Sequence, residues 1–305
     1  MAEITASLVK ELREKTGAGM MECKKALAET AGDLEQAIDF LRKKGLSVAE
    51  KKAGRVASQG LVGVIVDGKE GAIVELNSET DFVARNAEFQ SFLSDTLTVA
   101  LAQKGDMEAI KVATMGDKSV ADTLTALIAK IGENMSLRRA GFVSVDNGVV
   151  VPYMHTAIVP NQGKIGVLVA LESTADADKL NELGKKIAMH VAAATPRFLS
   201  NEDVDADTIA HEKGIYEEQA KASGKPANII EKMVEGRLRK FYEEVVLLEQ
   251  AFIMDPDKKI KDVVAEAAKE LGTPVVLKSY VRFGLGEGLA KKEEDFAAEV
   301  NSCLK

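Results

Sequence analysis

The chain is poor in the residues that most sites of covalent or metal chemistry need. Of its 305 residues, two are cysteine (Cys23 and Cys303) and three are histidine (His155, His190 and His211). Two cysteines cannot make a disulfide framework, so a reducing cytoplasm is the expected location. The histidines lie far apart without ligand spacing, so no metal site is expected. Positive charge is also in deficit. Lys plus Arg number 40 against 48 Asp plus Glu, a net charge of −8. Phosphate binding needs clustered positive charge, so neither direct nucleic-acid contact nor an anionic membrane is an expected partner. No apolar run reaches the length of a membrane span. The start, MAEITASLVKELREK, lacks a basic segment followed by an apolar one, so a secretory signal is not expected.

What is present suits a folded, hydrated protein. Hydrophobic residues make up 46% and charged residues 29%. The length predicts two or more domains. Ile4, Leu8 and Leu12 recur at helical spacing, and Gly17 and Gly19 break that helix. MMECKKALAET predicts a second helix. Asp33 is the expected N-cap of a third, which carries Leu34, Ile38 and Leu41 and is expected to stop at Gly45. The polar stretch up to Gly60 reads as a linker, partly helical.

From Leu61 the period becomes extended. LVGVIV, Asp67-Gly68 and AIVELN predict a hairpin. Helices follow, one with Phe89, Phe92, Leu93 and Leu97, another over about 119–132. FVSV, Asn147-Gly148, VVVPYMHTAIV and KIGVLVAL then predict a second β-region, closed by a helix through Leu180, Leu183, Ile187 and Val191. GKEGAIVELNS, from Gly68, aligns without a gap on GKIGVLVALES, from Gly163. The fold class is therefore α+β, with a core of two similar subdomains built on antiparallel sheets.

Residues 202–243 are charged and helical, broken at Ser223-Gly224-Lys225-Pro226, which predicts an antiparallel helical hairpin. A short helix near 260–271 follows. VVLKSYVRF predicts a strand with Val275, Leu277, Val281 and Phe283 on one side. The chain ends in GLGEGLA and a charged helix with Phe296, Ala297 and Val300 on one face.

Few motifs carry chemistry. GLGEG at 284–288 lacks the strand and acid that a dinucleotide site needs after its loop, so it reads as a hinge. TGAG at 16–19 has no Lys-Ser/Thr and reads as a helix–helix turn. Cys23 lies beside Lys24 and Lys25, His155 near a strand end, and His190 in an apolar helix as a core residue. From these residues alone, a small-molecule enzyme using His155 and Cys23, or an oligomeric scaffold around the helical hairpin, remains open. ELNSETDFVAR, residues 75–85, resists both readings. Thr80 is the expected N-cap of a helix that starts at Asp81. Continuing the internal alignment sets Thr80, Asp81 and Phe82 against Ala175, Asp176 and Ala177. The second copy thus builds its turn without an aromatic, and Phe82 reads as dispensable to the local fold.

ELNSETDFVAR (75–85) resembles a signature of the bacterial translation elongation factor Ts family, and LREKTGAGMMECKKAL (12–27) resembles the N-terminal signature of that family. IAMHVAA (187–193), SGKP…EKMVEGR (223–237) and DFAAEV (295–300) are similar to it as well. The resemblance implies a guanine-nucleotide exchange factor that acts on the GTPase elongation factor Tu by protein contact, with no catalytic residue and no cofactor or metal. Carried over, the wedge beside the GTPase's magnesium site is Thr80, Asp81, Phe82 and Val83. Further contacts are Leu12, Met20, Met21, His155, Phe296 and Val300. It also implies a plan of a ubiquitin-associated-like three-helix module at 1–50 and a linker at 51–60. The core subdomains then fall at 61–140 and at 141–201 with 244–285. The helical hairpin at 202–243 is a possible homodimer element, and 286–305 forms a docking helix.

Overall fold

A computed structural model describes residues 4–16, 18–221 and 226–289. The N-terminal module is α1 (Ala6–Thr16), α2 (Met20–Glu29) and α3 (Leu34–Lys52) around Val9, Leu12, Cys23, Ala26, Leu27 and Ala37. Asp33 caps α3 by accepting the Gln36 N–H at 2.9 Å.

The core begins with β1 (Gln59–Asp67) and β2 (Glu70–Ser78), followed by α4 (Ala87–Ala102) and α5 (Met107–Val112). A short ribbon, β3 (Thr114–Met115) and β4 (Lys118–Ser119), leads into α6 (Val120–Ile131). Next come β5 (Met135–Ser144), β6 (Gly148–Val159), β7 (Gln162–Ser173) and α7 (Ala177–Ala194). The hairpin helices are α8 (Ala206–Lys221) and α9 (Ala227–Val245). The chain then forms β8 (Ala251–Phe252), β9 (Asp255–Lys259), α10 (Ile260–Leu271) and β10 (Val275–Gly284).

Helix α3 does not stop at Gly45. Gly45 stays helical because the helix beyond it is held against α6: a Cβ there would meet the Ala129 Cβ at 3.6 Å. Ala49 packs on the core, Arg42 pairs with Asp122 at 3.0 Å, and the Lys52 ammonium reaches the Gly132 carbonyl. The expected linker therefore begins as helix and is then strapped down, with Asn134 donating its side-chain amide to the Arg55 carbonyl at 2.7 Å.

All core strand pairs are antiparallel. One group runs β1–β2–β5 and the other β6–β7–β10. The groups join where Val62 and Gly63 of β1 face Gly163 and Gln162 of β7. Alternation then sets three apolar layers. Leu61, Ala72, Val74 and Leu76 pack outward on α4 and α6. Val149, Val167, Val169 and Leu171 pack outward on α7 and α10. Val62, Val64, Ile73, Val150, Leu168 and Ala170 meet between the sheets. The two aligned segments keep their faces: Ile73 and Leu168, their counterparts in the alignment, both point inward. Gly71 and Gly166 are also counterparts, and each lets the opposite sheet approach. A Cβ on Gly71 would lie 2.7 Å from Val150 Cγ1, and one on Gly166 2.8 Å from Val62 Cγ1.

Strand β10 departs from the expected single face. Its register shifts between Leu277 and Ser279, and one extra residue turns every later side chain over. Val275 and Leu277 therefore join the helix-side core, whereas Val281 and Phe283 join the layer between the sheets.

Helices α8 and α9 lie antiparallel, with Ala220 and Val234 buried. Val204, Phe241 and Val246 pack at their base with Phe198 and Ile209. Of the predicted break, Pro226 directly precedes α9, whereas residues 222–225 and the predicted C-terminal helix lie outside the described residues.

Candidate interaction site around Phe82

Strand β2 ends at Ser78, and α4 starts only after Asn86. The Asn86 side chain is the cap, accepting the Glu88 and Phe89 N–H groups at 2.8 and 3.2 Å. Thr80 is therefore not an N-cap, and no α-helix begins at Asp81. The reason is competition for Thr80. Its N–H and Oγ1–H both go to the Glu133 carboxylate, at 3.0 and 2.7 Å. Residues 81–82 form a turn and Val83–Arg85 a single 3₁₀ turn.

The second copy makes the same passage more briefly. Its cap is Asp176, which accepts the Asp178 and Lys179 N–H groups at 3.1 and 3.2 Å. Seven residues separate Ser78 from Asn86, but only two separate Ser173 from Asp176. The ungapped alignment thus ends at Ser78 and Ser173, and Asp176 is the counterpart of Asn86 rather than Asp81. Phe82 has no counterpart at Ala177; it lies in a loop that the second copy lacks.

That loop exposes some side chains and anchors others. Phe82 is 80% exposed, whereas Val83 is 5% exposed and Ala84 is fully buried in the α4 core. Asp81 is exposed. Glu79 accepts the Asn134 N–H at 2.6 Å, and the Ser78 hydroxyl donates to the Thr80 carbonyl at 2.8 Å. On the other side, the Gln90 amide donates to the Ala84 carbonyl at 2.9 Å. Buried Gln162 donates to the Gln90 carbonyl at 2.9 Å and to Ser94 Oγ at 2.8 Å. Lys164 stands near this loop. Burial pushes its ammonium below the usual lysine range, the Asp81 charge partly opposes that, and the Arg85 charge adds to it.

The other expected contacts are dispersed. Met20 and Met21, at the start of α2, are 60% and 75% exposed. Leu12 is fully buried in the α1–α3 core, so it supports that module and is not on its surface. His155 is exposed on β6, its Nδ1 3.1 Å from the Tyr153 hydroxyl. Phe296 and Val300 lie outside the described residues. Cys23 is fully buried among α1–α3 residues, its thiol directed to the Ala18 carbonyl at 3.6 Å. The structure thus does not bring Cys23 and His155 together. A groove of about 820 Å³ beside Arg197, Tyr280 and Arg282 is lined by neither. Burial pushes the Tyr280 phenol in it up to about 12, with the Asp203 charge adding and Arg282 opposing. Among the described residues no group of His, Cys, Asp and Glu is placed to hold a metal ion, and no helix is long and apolar enough to cross a membrane.

One constellation joins residues that no single sequence motif contains. Glu75 is fully buried and faces Arg138 at 3.0 Å and Arg139 at 2.6 Å. It also accepts the Asn77 amide at 3.0 Å and the Gly286 N–H at 2.8 Å. GLGEG is thus a folded brace: Gly286 takes φ +68°, and a Cβ on it would meet the Ser58 carbonyl oxygen at 2.5 Å. Glu287 carries the brace on to Arg282 at 2.7 Å. A signal existed in the strand pattern, since Glu75 occupies the inward position after Gly71 and Ile73. Glu133 had none, because its partner lies 53 positions away.

Comparison with known proteins adds family information. The family model described as Elongation factor TS matches residues 79–287. Elongation factor Ts of Paramagnetospirillum magneticum is 63% identical over 302 residues, covering 98% of this chain and 97% of that protein. Elongation factor Ts of Rhodospirillum rubrum is 61% identical over 308 residues and the whole of both chains. Elongation factor Ts of Rhodospirillum centenum is 58% identical over 304 residues and 99% of each.

Proposed function

The chain belongs to the elongation factor Ts family of translation elongation factors, and on that premise we propose that it releases GDP from elongation factor Tu in the cytoplasm. The observation that carries this reading is Phe82: a large aromatic, 80% exposed, on a loop whose neighbours Val83 and Ala84 are locked in the core. An isolated aromatic of that exposure contributes nothing to the free fold and has most to gain on burial against a partner.

A GTPase holds GDP through backbone donors around the phosphates and through Mg²⁺ that bridges phosphate oxygens. A partner releases GDP by binding better to the form in which that site is distorted. By linkage, it weakens GDP binding by the same factor by which GDP weakens its own. In this reading Thr80 and Val83 fix the loop, Phe82 wedges between elements of the GTPase, and Asp81 accepts hydrogen bonds from groups that support the metal site. Burial of one phenylalanine supplies about 1.5–3 kcal/mol, roughly one to two decades in affinity. Larger weakening draws on the rest of the contact face, in which Met20, Met21 and His155 are the exposed candidates. Phe296 and Val300 complete the proposed contacts, and α8–α9 is the proposed route to a homodimer. The activity is exchange by protein contact, with no bond made or broken and no direct contact with nucleic acid.

The test is release of fluorescent GDP from elongation factor Tu with the parent, Phe82→Ala and Asp81→Ala. Fast release with the parent and at least about tenfold slower release with either variant is expected. Equal release by parent and variants would remove the wedge, and no stimulation by the parent would remove the exchange reading.

A further inference from the structure

We propose that Glu133 and Gln90 are positioning residues for exchange: they hold the Phe82 loop in its partner-ready form from opposite ends. The proposal rests on the reading of Phe82 as the wedge and deepens it. The loop is five residues longer than its counterpart in the second copy, and a longer loop costs more order to fix. Two apolar anchors, Val83 and Ala84, bind its middle. Residues 79–82, which carry the exposed Asp81 and Phe82, have no apolar anchor of their own.

Glu133 supplies a polar anchor instead. Its two oxygens take separate bonds from the same residue, 3.0 Å to the Thr80 N–H and 2.7 Å to the Thr80 hydroxyl. Both are charge-assisted, and together they fix backbone and χ1 of the residue two before Phe82. Glu133 is itself fixed in place, directly after Gly132, which ends α6 in the left-handed conformation at φ +84°. Asn134, next in the chain, clamps Glu79 at 2.6 Å. The α6–β5 turn therefore grips the loop at two successive residues.

Gln90 supplies the other end. Its amide reaches back from α4 to the Ala84 carbonyl at 2.9 Å, and the Gln90 carbonyl is bonded to buried Gln162 from the second copy. Phe82 thus sits between a clamp made by its own subdomain and one braced by the other. A partner meeting a pre-ordered loop does not have to order it, and apparent affinity falls by the fraction of molecules that lose this form. Loss of a clamp is expected to weaken productive docking while leaving the chemistry of the docked complex, which belongs to Phe82 and Asp81, intact.

The full-length protein tests this. Release of fluorescent GDP from elongation factor Tu is titrated with Glu133→Ala, Glu133→Gln and Gln90→Ala, each alone and combined with Phe82→Ala. Amide exchange at Thr80 is followed in the free proteins. Glu133→Ala is expected to raise the half-maximal concentration about tenfold with the maximal rate within about twofold, and to speed Thr80 exchange. Glu133→Gln, which keeps one acceptor oxygen, is expected to fall between, so a poorly folding alanine variant does not decide the matter. In the Phe82→Ala background the rise shrinks to less than about threefold, because the clamp then positions Asp81 alone. A merely structural residue would give the same fold rise in both backgrounds, and that result overturns the proposal. Parent-like release by Glu133→Ala beside slow Phe82→Ala overturns the proposal alone. Parent-like release by Phe82→Ala overturns the wedge and the proposal with it.

Discussion

Gly286 donates its backbone N–H to the Glu75 carboxylate at 2.8 Å, across 211 positions of the chain. The bond closes a buried site in which Arg138, Arg139 and Asn77 also donate to Glu75. It holds the last described turn of the chain against β2, the strand that leads into the Phe82 loop. Burial alone would raise the carboxyl's pKa. The Gly286 N–H, the Asn77 amide and Arg139 outweigh it and hold Glu75 below its ordinary 4.5.

Glu75→Gln is therefore expected to destabilise the fold by about 3 kcal/mol, since it leaves two guanidinium groups without their shared carboxylate. Urea unfolding at pH 7 measures this. The pH dependence has a definite sign. A carboxyl depressed in the folded state adds stability above its unfolded value and loses it as pH falls through the folded one. The gap between parent and Glu75→Gln is thus expected to narrow below about pH 4.5. A gap that stays constant down to pH 3 would mean that the brace is not ionic.

Each sheet's inward glycine gives a second prediction. Gly166→Ala sets a Cβ 2.8 Å from Val62 Cγ1 and 3.0 Å from Ile73 Cδ1, where the β-branched side chains have little room to give. A loss of about 1–3 kcal/mol is expected, with Gly71→Ala alike. Gly68→Ala is the control. Its φ is +56° with nothing within 4 Å, so only the backbone cost of about 1 kcal/mol applies. Equal stability of Gly166→Ala and the parent would mean that the sheets part more readily than this packing allows.

These cases also mark what the sequence could reveal. Strand and helix periodicity, the two turn signals and the internal match are local, and they gave the hairpins, the long helices and the doubled plan. The match even predicts facing, because Ile73 and Leu168 keep their register. It failed where the two copies differ in length, at Ser78, since an ungapped alignment carries no sign of the five added residues. Strand alternation failed at Leu277, where one bulged residue reverses a face without changing the pattern of residue types. Phe82 stood out in the sequence because no local rule explained it. Glu133 and Gly286 did not, because their roles arise only when distant segments meet.

The N-terminal module separates fold from contact within a few residues. Leu12→Ala removes a fully buried side chain from a small core and is expected to cost about 2–5 kcal/mol. Met21 is 75% exposed, so Met21→Ala is expected to change stability by less than about 0.5 kcal/mol. Under the proposed function it instead weakens binding to elongation factor Tu. Thermal unfolding and calorimetric titration of the two variants separate the roles. A destabilised Met21→Ala with unaltered binding would place Met21 in the fold.

His190 gives the last prediction, and it concerns pH near neutrality. The ring is 1% exposed on α7, with Nε2 2.9 Å from Gln250 Oε1. Nδ1 accepts the Ile253 N–H at 3.3 Å. One nitrogen must accept and the other donate, so this network fits the neutral ring with its proton on Nε2. Burial lowers the pKa from the ordinary 6.5, and the Gln250 bond only partly opposes it. In the unfolded chain the imidazole takes up its proton near 6.5, whereas in the fold it does so at lower pH. Between the two values the unfolded state binds more protons, so stability rises with pH there. The contribution of His190 is complete above about pH 6.5 and is lost as pH falls below it. An imidazole titration by NMR is expected to show the His190 ring taking up its proton below the ordinary 6.5. The melting temperature is expected to fall between pH 7 and pH 5.5, and His190→Gln, which cannot take up a proton, is expected to flatten that slope. A ring that titrates at 6.5 in the folded protein would refute the assignment, since the Ile253 N–H would then face a protonated nitrogen.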